Sequence, residues 1–303
     1  EATLGTAVEI NGGTGNQIAG CTIRSIVGNP AVTISGSNNG IRSGDLYQLA
    51  GTGVSIRGGD RETLTPAGNY ADNCHIHHAG RIHRTYNGAF KIHGVGNRIS
   101  HCYIHDLPHQ AIGYGGNDHI VEYCEFTRIA EETGDVGVLY TAMDWTSMGH
   151  EVRYNYFHDI HGPGRLGCRI IYPDLPCGGI HLHGNIFYDI NIGFFTNSGR
   201  AMRIENNLFL DQQQAVAFNV WTDRQKFLPD GDWRMVERIR EVNYDQPPFS
   251  DRYPALRRLA EDFALGPDQW IERAYPKDNV VRGNVSDGKL FARLNPKATL
   301  EHV

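Results

Sequence analysis

The stretch Ile99-Ser100-His101-Cys102-Tyr103-Ile104 is followed by Val121-Glu122-Tyr123-Cys124-Glu125-Phe126 and then by Val152-Arg153-Tyr154-Asn155-Tyr156-Phe157. Each copy reads as an apolar residue, a small residue three positions on, and an apolar residue two further. The pattern extends outward in both directions. Upstream it appears as Ile18-x-x-Cys21-x-Ile23, Ile41-x-x-Gly44-x-Leu46 and Ala71-x-x-Cys74-x-Ile76. Downstream it appears as Leu182-x-x-Asn185-x-Phe187 and Ile204-x-x-Asn207-x-Phe209, with a last copy at Val281-x-x-Asn284. Up to Asn207 the small residues stand 22 to 31 residues apart. Self-similarity at such a period marks a repeat architecture.

A second strand follows most copies: Ala31-Val32-Thr33-Ile34, Gly53-Val54-Ser55-Ile56, Ala89-Phe90-Lys91-Ile92, Val138-Leu139-Tyr140, Ile170-Ile171-Tyr172, Phe194-Phe195 and Val216-Ala217-Phe218. Period-two alternation bounded by Gly and Asn reads as half-buried strand. Two or three short strands per repeat, with no helix between them, fit an all-β fold. The expected fold is a right-handed parallel β-helix, a single-stranded solenoid. Leucine-rich repeats have a similar period, but their L-x-x-L-x-L signature is absent.

In a stacked solenoid, equivalent residues lie about 4.8 Å apart, rung on rung. Cys21, Cys74, Cys102 and Cys124 then line up inside the coil beside Gly44, as small buried hydrophobes. Asn155, Asn185, Asn207 and Asn284 continue the line as an asparagine ladder, whose amides hydrogen-bond between rungs. Cys168 and Cys177 fall outside it, and whether they pair stays open.

The chain has 303 residues with 36 Gly, 20% charged residues and a net charge of −6. No basic run is present, which argues against a nucleic-acid surface. No apolar run approaches the ~18 residues of a membrane span. The reading is therefore one β-helix domain over 1–303, with a monomer as the simpler assembly. Ala7-Val8-Glu9-Ile10 matches the second strand, so the chain begins in mid-rung. It opens on Glu1 with no signal-peptide pattern, and an upstream cap and signal are expected, with a secreted or periplasmic location. Near the other end the period breaks between Asn207 and Asn284. Two helical patterns fill an excursion over 219–278. One runs about Asp232 to Val242; the other follows Ser250 as N-cap, with Tyr253, Leu256, Leu259 and Phe263 on one face. This segment is expected to pack on the solenoid's side or close its end, with a substrate lid as the sharper possibility.

Of the 15 histidines, 14 lie between His75 and His183. His77, His105 and His158 stand three residues after the ladder position. Asp106, Asp159, Asp189 and Asp211 stand four after it. Such recurrence is what a stack of turns produces; the functional alternative is a calcium or zinc row along one edge. His181-x-His183 makes only a weak zinc site. Acids that break the repeat carry more information. Asp135 precedes a strand, Asp144 follows it, and Ile171-Tyr172-Pro173-Asp174 lies on the next rung. Aligning Tyr140, Tyr172 and Phe195 places Ala142, Asp174 and Asn197 at one coil position, with Arg200 nearby. Glycoside hydrolysis needs two carboxyl groups about 5 to 9.5 Å apart, a spacing that neighbouring rungs supply. Tyr140, Tyr172 and Trp145 offer flat faces for a sugar ring.

From about Asn69 to Pro254 the sequence resembles bacterial secreted β-helix glycoside hydrolases of the group that includes pectin-side-chain α-L-fucosidases and xylan-active enzymes. The matching stretches are Gly94-Val95-Gly96-Asn97, Ile104-His105-Asp106-Leu107-Pro108-His109, Gly134-Asp135-Val136-Gly137-Val138-Leu139-Tyr140, Asp144-Trp145-Thr146, Ile171-Tyr172-Pro173-Asp174, Glu205-Asn206-Asn207-Leu208-Phe209 and Arg252-Tyr253-Pro254-Ala255-Leu256. The resemblance implies two catalytic aspartates, and by position these look like Asp135 and Asp174. The chain departs from the group at Ala142-Met143, at Pro173 with Leu175, and at Ala201-Met202. There the group commonly carries Gly-Arg, a Leu followed by a second Asp, and Asp-Asn.

The expected function is hydrolysis of a plant or microbial polysaccharide or oligosaccharide. Asp135 and Asp174 form the catalytic pair, with Asp144 as a supporting or replacement acid. Tyr140, Trp145, Tyr172, Asn197, Arg200 and His93 form the sugar subsite. No cofactor or metal is required. The alternatives are a uronate lyase or epimerase using Lys91, His93 and Arg57, and a non-catalytic carbohydrate-binding solenoid.

Overall fold

The computed structural model describes residues 3–228, 231–288 and 290–301. Its strands pair in parallel throughout the stack and form sheets of ten and 17 strands. They build a parallel β-helix with three faces. The first face is the ten-stranded sheet, and the repeat runs along it in register. Ile18, Ile41, Ala71, Ile99, Val121, Val152, Leu182, Ile204 and Val281 pair one after another. On the second face Ile23, Leu46, Ile76, Ile104, Phe126, Phe157, Phe187 and Phe209 do the same. The four phenylalanines stack with ring centroids 4.6 to 5.1 Å apart. The third face carries the second strands: Val32–Ile34, Val54–Gly58, Phe90–Gly94 and onward. It includes Ile112–Tyr114, a strand whose alternation Gly113 hides in the sequence. Inward residues of all three faces merge into one apolar core.

The ladder forms as expected where asparagines occupy it. Asn155, Asn185 and Asn207 each donate through Nδ2 to the Oδ1 of the next asparagine, at 2.9–3.0 Å, ending on Asn284. The same oxygens accept the backbone N–H of the preceding ladder residue at 3.0 Å. Cys74, Cys102 and Cys124 are buried in line with them, but Cys21 is exposed. It sits on an outer rung, and Gly44 beside it brings no side chain to cover it. All six cysteines are free thiols, so Cys168 and Cys177 are buried without pairing.

The acids four residues beyond the ladder are corner residues. Asp106, Asp159, Asp189 and Asp211 have φ of 52, 51, 51 and 47°, the left-handed region that Asp tolerates better than most residues. Their histidine neighbours do not lie in turns. His77, His105 and His158 sit on the strands His75–His77, Tyr103–Leu107 and Tyr156–Ile160.

From Val136 onward the third-face strands lengthen, as Val136–Asp144, Cys168–Cys177, Ile186–Asn197 and Leu208–Asn219. The corner that returns the chain to the first face spans 145–149 on one rung and 198–202 on another. After Asn219 it expands into residues 220–278. This excursion holds the helices Met235–Arg240, Phe249–Arg252, Ala255–Ala264 and Ile271–Ala274. The first is shorter than expected. Ser250 lies inside a helix, and Pro254 takes the N-cap of the next one. Leu256 and Leu259 are buried, as the periodicity predicts. The segment packs on the solenoid's side, where Met235, Ile239, Leu256 and Leu259 join Trp145 and Met148 in a second core. No helix among the described residues is long and apolar enough to cross a membrane.

Candidate functional site

The long third-face strands create the site. Outward residues alternate with core residues along them, and two outward columns carry the polar chemistry. Asp174 pairs in register with Ala142, and the pairing of the next strand places Asn197 and Asn219 on the following rungs. The alignment drawn from Tyr140, Tyr172 and Phe195 is therefore met. Asn197 Nδ2 donates to Asp174 Oδ1 at 2.9 Å, and Asn219 Nδ2 donates to Asn197 Oδ1 at 2.8 Å. The Tyr140 hydroxyl donates to Asp174 Oδ2 at 3.2 Å. Asp174 thus ends a chain of three polar side chains that fixes both of its oxygens.

Asp135 stands at the head of Val136–Asp144 with φ of 56°. Arg169, paired with Gly137 on the next rung, reaches it with Nη1 to Oδ1 at 2.6 Å. The guanidinium carbon lies 4.9 Å from the ring centres of both Tyr172 and Phe195, a cation–π arrangement that holds a charged side chain only 6% exposed. Asp135, Arg169, Tyr172, Asp174 and Asn197 share an open groove of about 770 Å³. Trp221 and Trp233 close its far side, with ring centroids 5.7 Å apart. Burial, and then the charges of Asp174 and Asp135, raise the Tyr172 phenol well above its ordinary pKa. Burial and Asp174 do the same for Tyr140, so both phenols stay protonated donors.

Other expected site residues lie elsewhere. A bulge between Ala142 and Asp144, with Met143 at φ of 62°, moves Asp144 out of the Asp174 row. Asp144 accepts from Thr146 N and Oγ1 at 2.8 and 2.6 Å and pairs with Arg61 at 3.4 Å. It faces a second groove of about 500 Å³, whose residues include Lys91, His93, Tyr140 and Arg238. Gly113 and Gly115 make its floor, where any side chain would meet Gln110 or His93. Burial and then Arg57 lower the Lys91 pKa; burial, Arg57, Lys91 and Arg61 lower that of His93.

Trp145 and Arg200 do not belong to a sugar subsite. Trp145 is fully buried against Phe227 and Phe263 of the excursion. Arg200 is 1% exposed; it pairs with Asp262 and donates to the Glu272 carbonyl at 3.0 Å. Both are covered because the excursion folds back over the corners that carry them.

Sequence reading missed Arg169, Asn219, Trp221 and Trp233. Asn219 follows from extending the rung alignment by one strand, and Arg169 lies three residues before Tyr172 on a strand already aligned. The tryptophans carry no such signal, because they lie in the aperiodic excursion. No family model matches the chain, and no curated protein matches it.

Proposed function

We propose that the protein hydrolyses glycosidic bonds of a polysaccharide or oligosaccharide, with Asp135 and Asp174 as its two working carboxyl groups. The observation that carries the reading is that both acids open onto one groove, Asp174 on a strand and Asp135 immediately before one, with Arg169 and two indoles alongside. Glycosidases protonate the leaving oxygen with one carboxyl group and use the other as nucleophile or base. Asp174 is aimed by Asn197 and Tyr140; Asp135 is aimed by Arg169. Trp221 and Trp233 present flat apolar faces of the kind sugar rings stack on. Asp144 is tied into its own turn and serves the second groove. Substituting Asp174→Asn or Asp135→Asn abolishes release of reducing sugar from a glycan panel while the thermal midpoint stays within a few degrees. Full activity in either variant overturns the assignment.

A second reading rests on the smaller groove. Lys91 and His93, both biased toward their neutral forms, stand beside Arg61 and Arg238. Proton abstraction beside a uronate carboxylate needs a neutral base and a cation of this kind. An unsaturated product that absorbs in the ultraviolet, lost in Lys91→Ala and retained in Asp174→Asn, selects this reading over hydrolysis.

A further inference from the structure

On the second face, outside both grooves, the strands Asp45–Tyr47, His75–His77 and Tyr103–Leu107 lie side by side. Asp45 pairs in register with His75, and His75 with Tyr103. His75 and His77 flank the fully buried Ile76, so both imidazoles point outward. Asp45 Oδ1, a nitrogen of His75 and a nitrogen of His77 lie within 4.8 Å of one another. His75 Nδ1 is 3.2 Å from Asp45 Oδ1, and His77 Nε2 is 3.9 Å from it.

Neither nitrogen makes a hydrogen bond to that oxygen. Among the described residues Asp45 Oδ1 has no hydrogen-bond partner, and it is shielded from solvent. Three donor atoms therefore converge without hydrogen bonds to each other, and a shielded carboxylate oxygen is left unsatisfied, which is costly for a charged group. A tetrahedral ion with bonds of about 2.0–2.1 Å sets its ligand atoms about 3.3 Å apart; His75 Nδ1 stands at that separation from Asp45 Oδ1, and His77 Nε2 reaches it by moving inward a few tenths of an ångström.

The outer nitrogens are also arranged as metal-bound imidazoles require. His75 Nε2 lies 2.7 Å from His105 Nε2, and His105 Nδ1 lies 2.6 Å from Asp106 Oδ2. Binding an ion through Nδ1 leaves the His75 proton on Nε2, which donates to His105. His105 in turn donates from Nδ1 to Asp106, and Arg128 Nε holds Asp106 at 2.5 Å. His77 Nδ1 lies 2.7 Å from His78 Nδ1, leaving Nε2 free to bind. Hydrogen bonding of the second ring nitrogen fixes the tautomer and orientation of ligating histidines. Tyr47 stacks on His77 and Tyr103 on His75, at 5.1 and 5.3 Å, so both rings are held in place.

We propose that Asp45 Oδ1, His75 Nδ1 and His77 Nε2 form a binding site for a divalent transition-metal ion of the zinc class, with a fourth position open to solvent. Two imidazoles and one carboxylate suit zinc; calcium and magnesium take all-oxygen sets. The site is separate from Asp135 and Asp174, and its failure leaves the glycosidase reading intact.

The test uses the full chain stripped of metal and dialysed against Zn²⁺. The expected result is one equivalent of retained zinc and a raised thermal midpoint. The Co²⁺ form should show the visible absorption of a low-coordinate site. His75→Ala/His77→Ala removes the equivalent, whereas His181→Ala/His183→Ala keeps it. His105→Gln binds with affinity reduced about 10- to 100-fold, the usual effect of losing such a partner, and serves as readout if the double variant fails to fold. Absence of zinc in the unaltered chain overturns the proposal. So does equal retention by a folded His75→Ala/His77→Ala variant, or loss of zinc in the His181/His183 control.

Discussion

Asn197 Nδ2 donates to Asp174 Oδ1 at 2.9 Å from the next rung of the coil, and its own Oδ1 accepts from Asn219. A carboxylate on a flat outward face is otherwise free to rotate; here one rung aims the acid of another. The substitution Asn197→Ala should lower kcat about 10- to 150-fold, since a hydrogen bond to a charged group is worth about 1.5–3 kcal/mol. KM should change little. Steady-state kinetics on a glycan of the panel that is turned over separates the two parameters.

Trp221 is 36% exposed on the groove wall. Trp221→Ala should raise KM about 2- to 12-fold with kcat nearly unchanged, from the roughly 0.5–1.5 kcal/mol that aromatic stacking contributes. Tryptophan fluorescence titration with oligosaccharide checks the binding loss directly.

Asn185 accepts from the backbone and side chain of Asn155 and donates to the carbonyls of Val152 and His183. Asn185→Ala strands several buried polar groups at once. The expected loss is about 3 kcal/mol, given about 1–3 kcal/mol for each buried group left unpaired. Urea unfolding measures it, and activity per folded molecule should be kept.

Stability should also fall on acidification. Asn39, Asn69 and Asn97 form a second ladder that His119 and His150 continue. Asn39 N donates to Asn69 Oδ1, Asn69 N to Asn97 Oδ1, Asn97 N to His119 Nδ1 and His119 N to His150 Nδ1. Burial holds the His119 pKa down at about 4, helped by His93 and Arg61 and opposed by the Gly115 carbonyl. The unfolded chain takes up this proton near 6.5, and the folded chain resists it until about 4. The contribution is therefore full above pH 6.5 and lost as pH falls toward 4, about 3 kcal/mol in all. His119→Asn keeps the acceptor without the titration and should flatten the pH dependence of the thermal midpoint over that interval.

Trp145→Ala should release the excursion before the coil, because Trp145 packs against Phe227 and Phe263 there. Truncating a buried Trp costs about 3–5 kcal/mol. Limited proteolysis should then cut within 220–278 while the strand signal in circular dichroism persists. Cleavage within the rungs at the same rate shows instead that coil and excursion unfold together.

The repeat was legible because each rung reuses one solution to one problem. An apolar residue, a small ladder residue and an apolar residue recur wherever the chain turns between the first two faces. That spacing alone placed nine of the ten first-face strands in register, and the alignment of Tyr140 with Tyr172 paired Asp174 with Ala142. The third-face strand Ile112–Tyr114 was not legible, because glycines occupy the outward positions where alternation would show; the same glycines open the second groove. His119 and His150 were not legible as ladder members, because nothing local separates a buried imidazole acceptor from an exposed one.

The amino-acid sequence by itself determined the coil, its interior line of cysteine and asparagine, and the neighbourhood of Asp135 and Asp174, since each follows from register between adjacent rungs. Tertiary structure alone decided which faces stay open. Trp145 and Arg200 left the site because residues 220–278 return over their corners, and Asp144 left it because one bulge shifts the register. The convergence of Asp45, His75 and His77 needed the third dimension too. Repeat spacing sets which residues are neighbours, but side-chain direction and the path of an aperiodic segment set which of them meet.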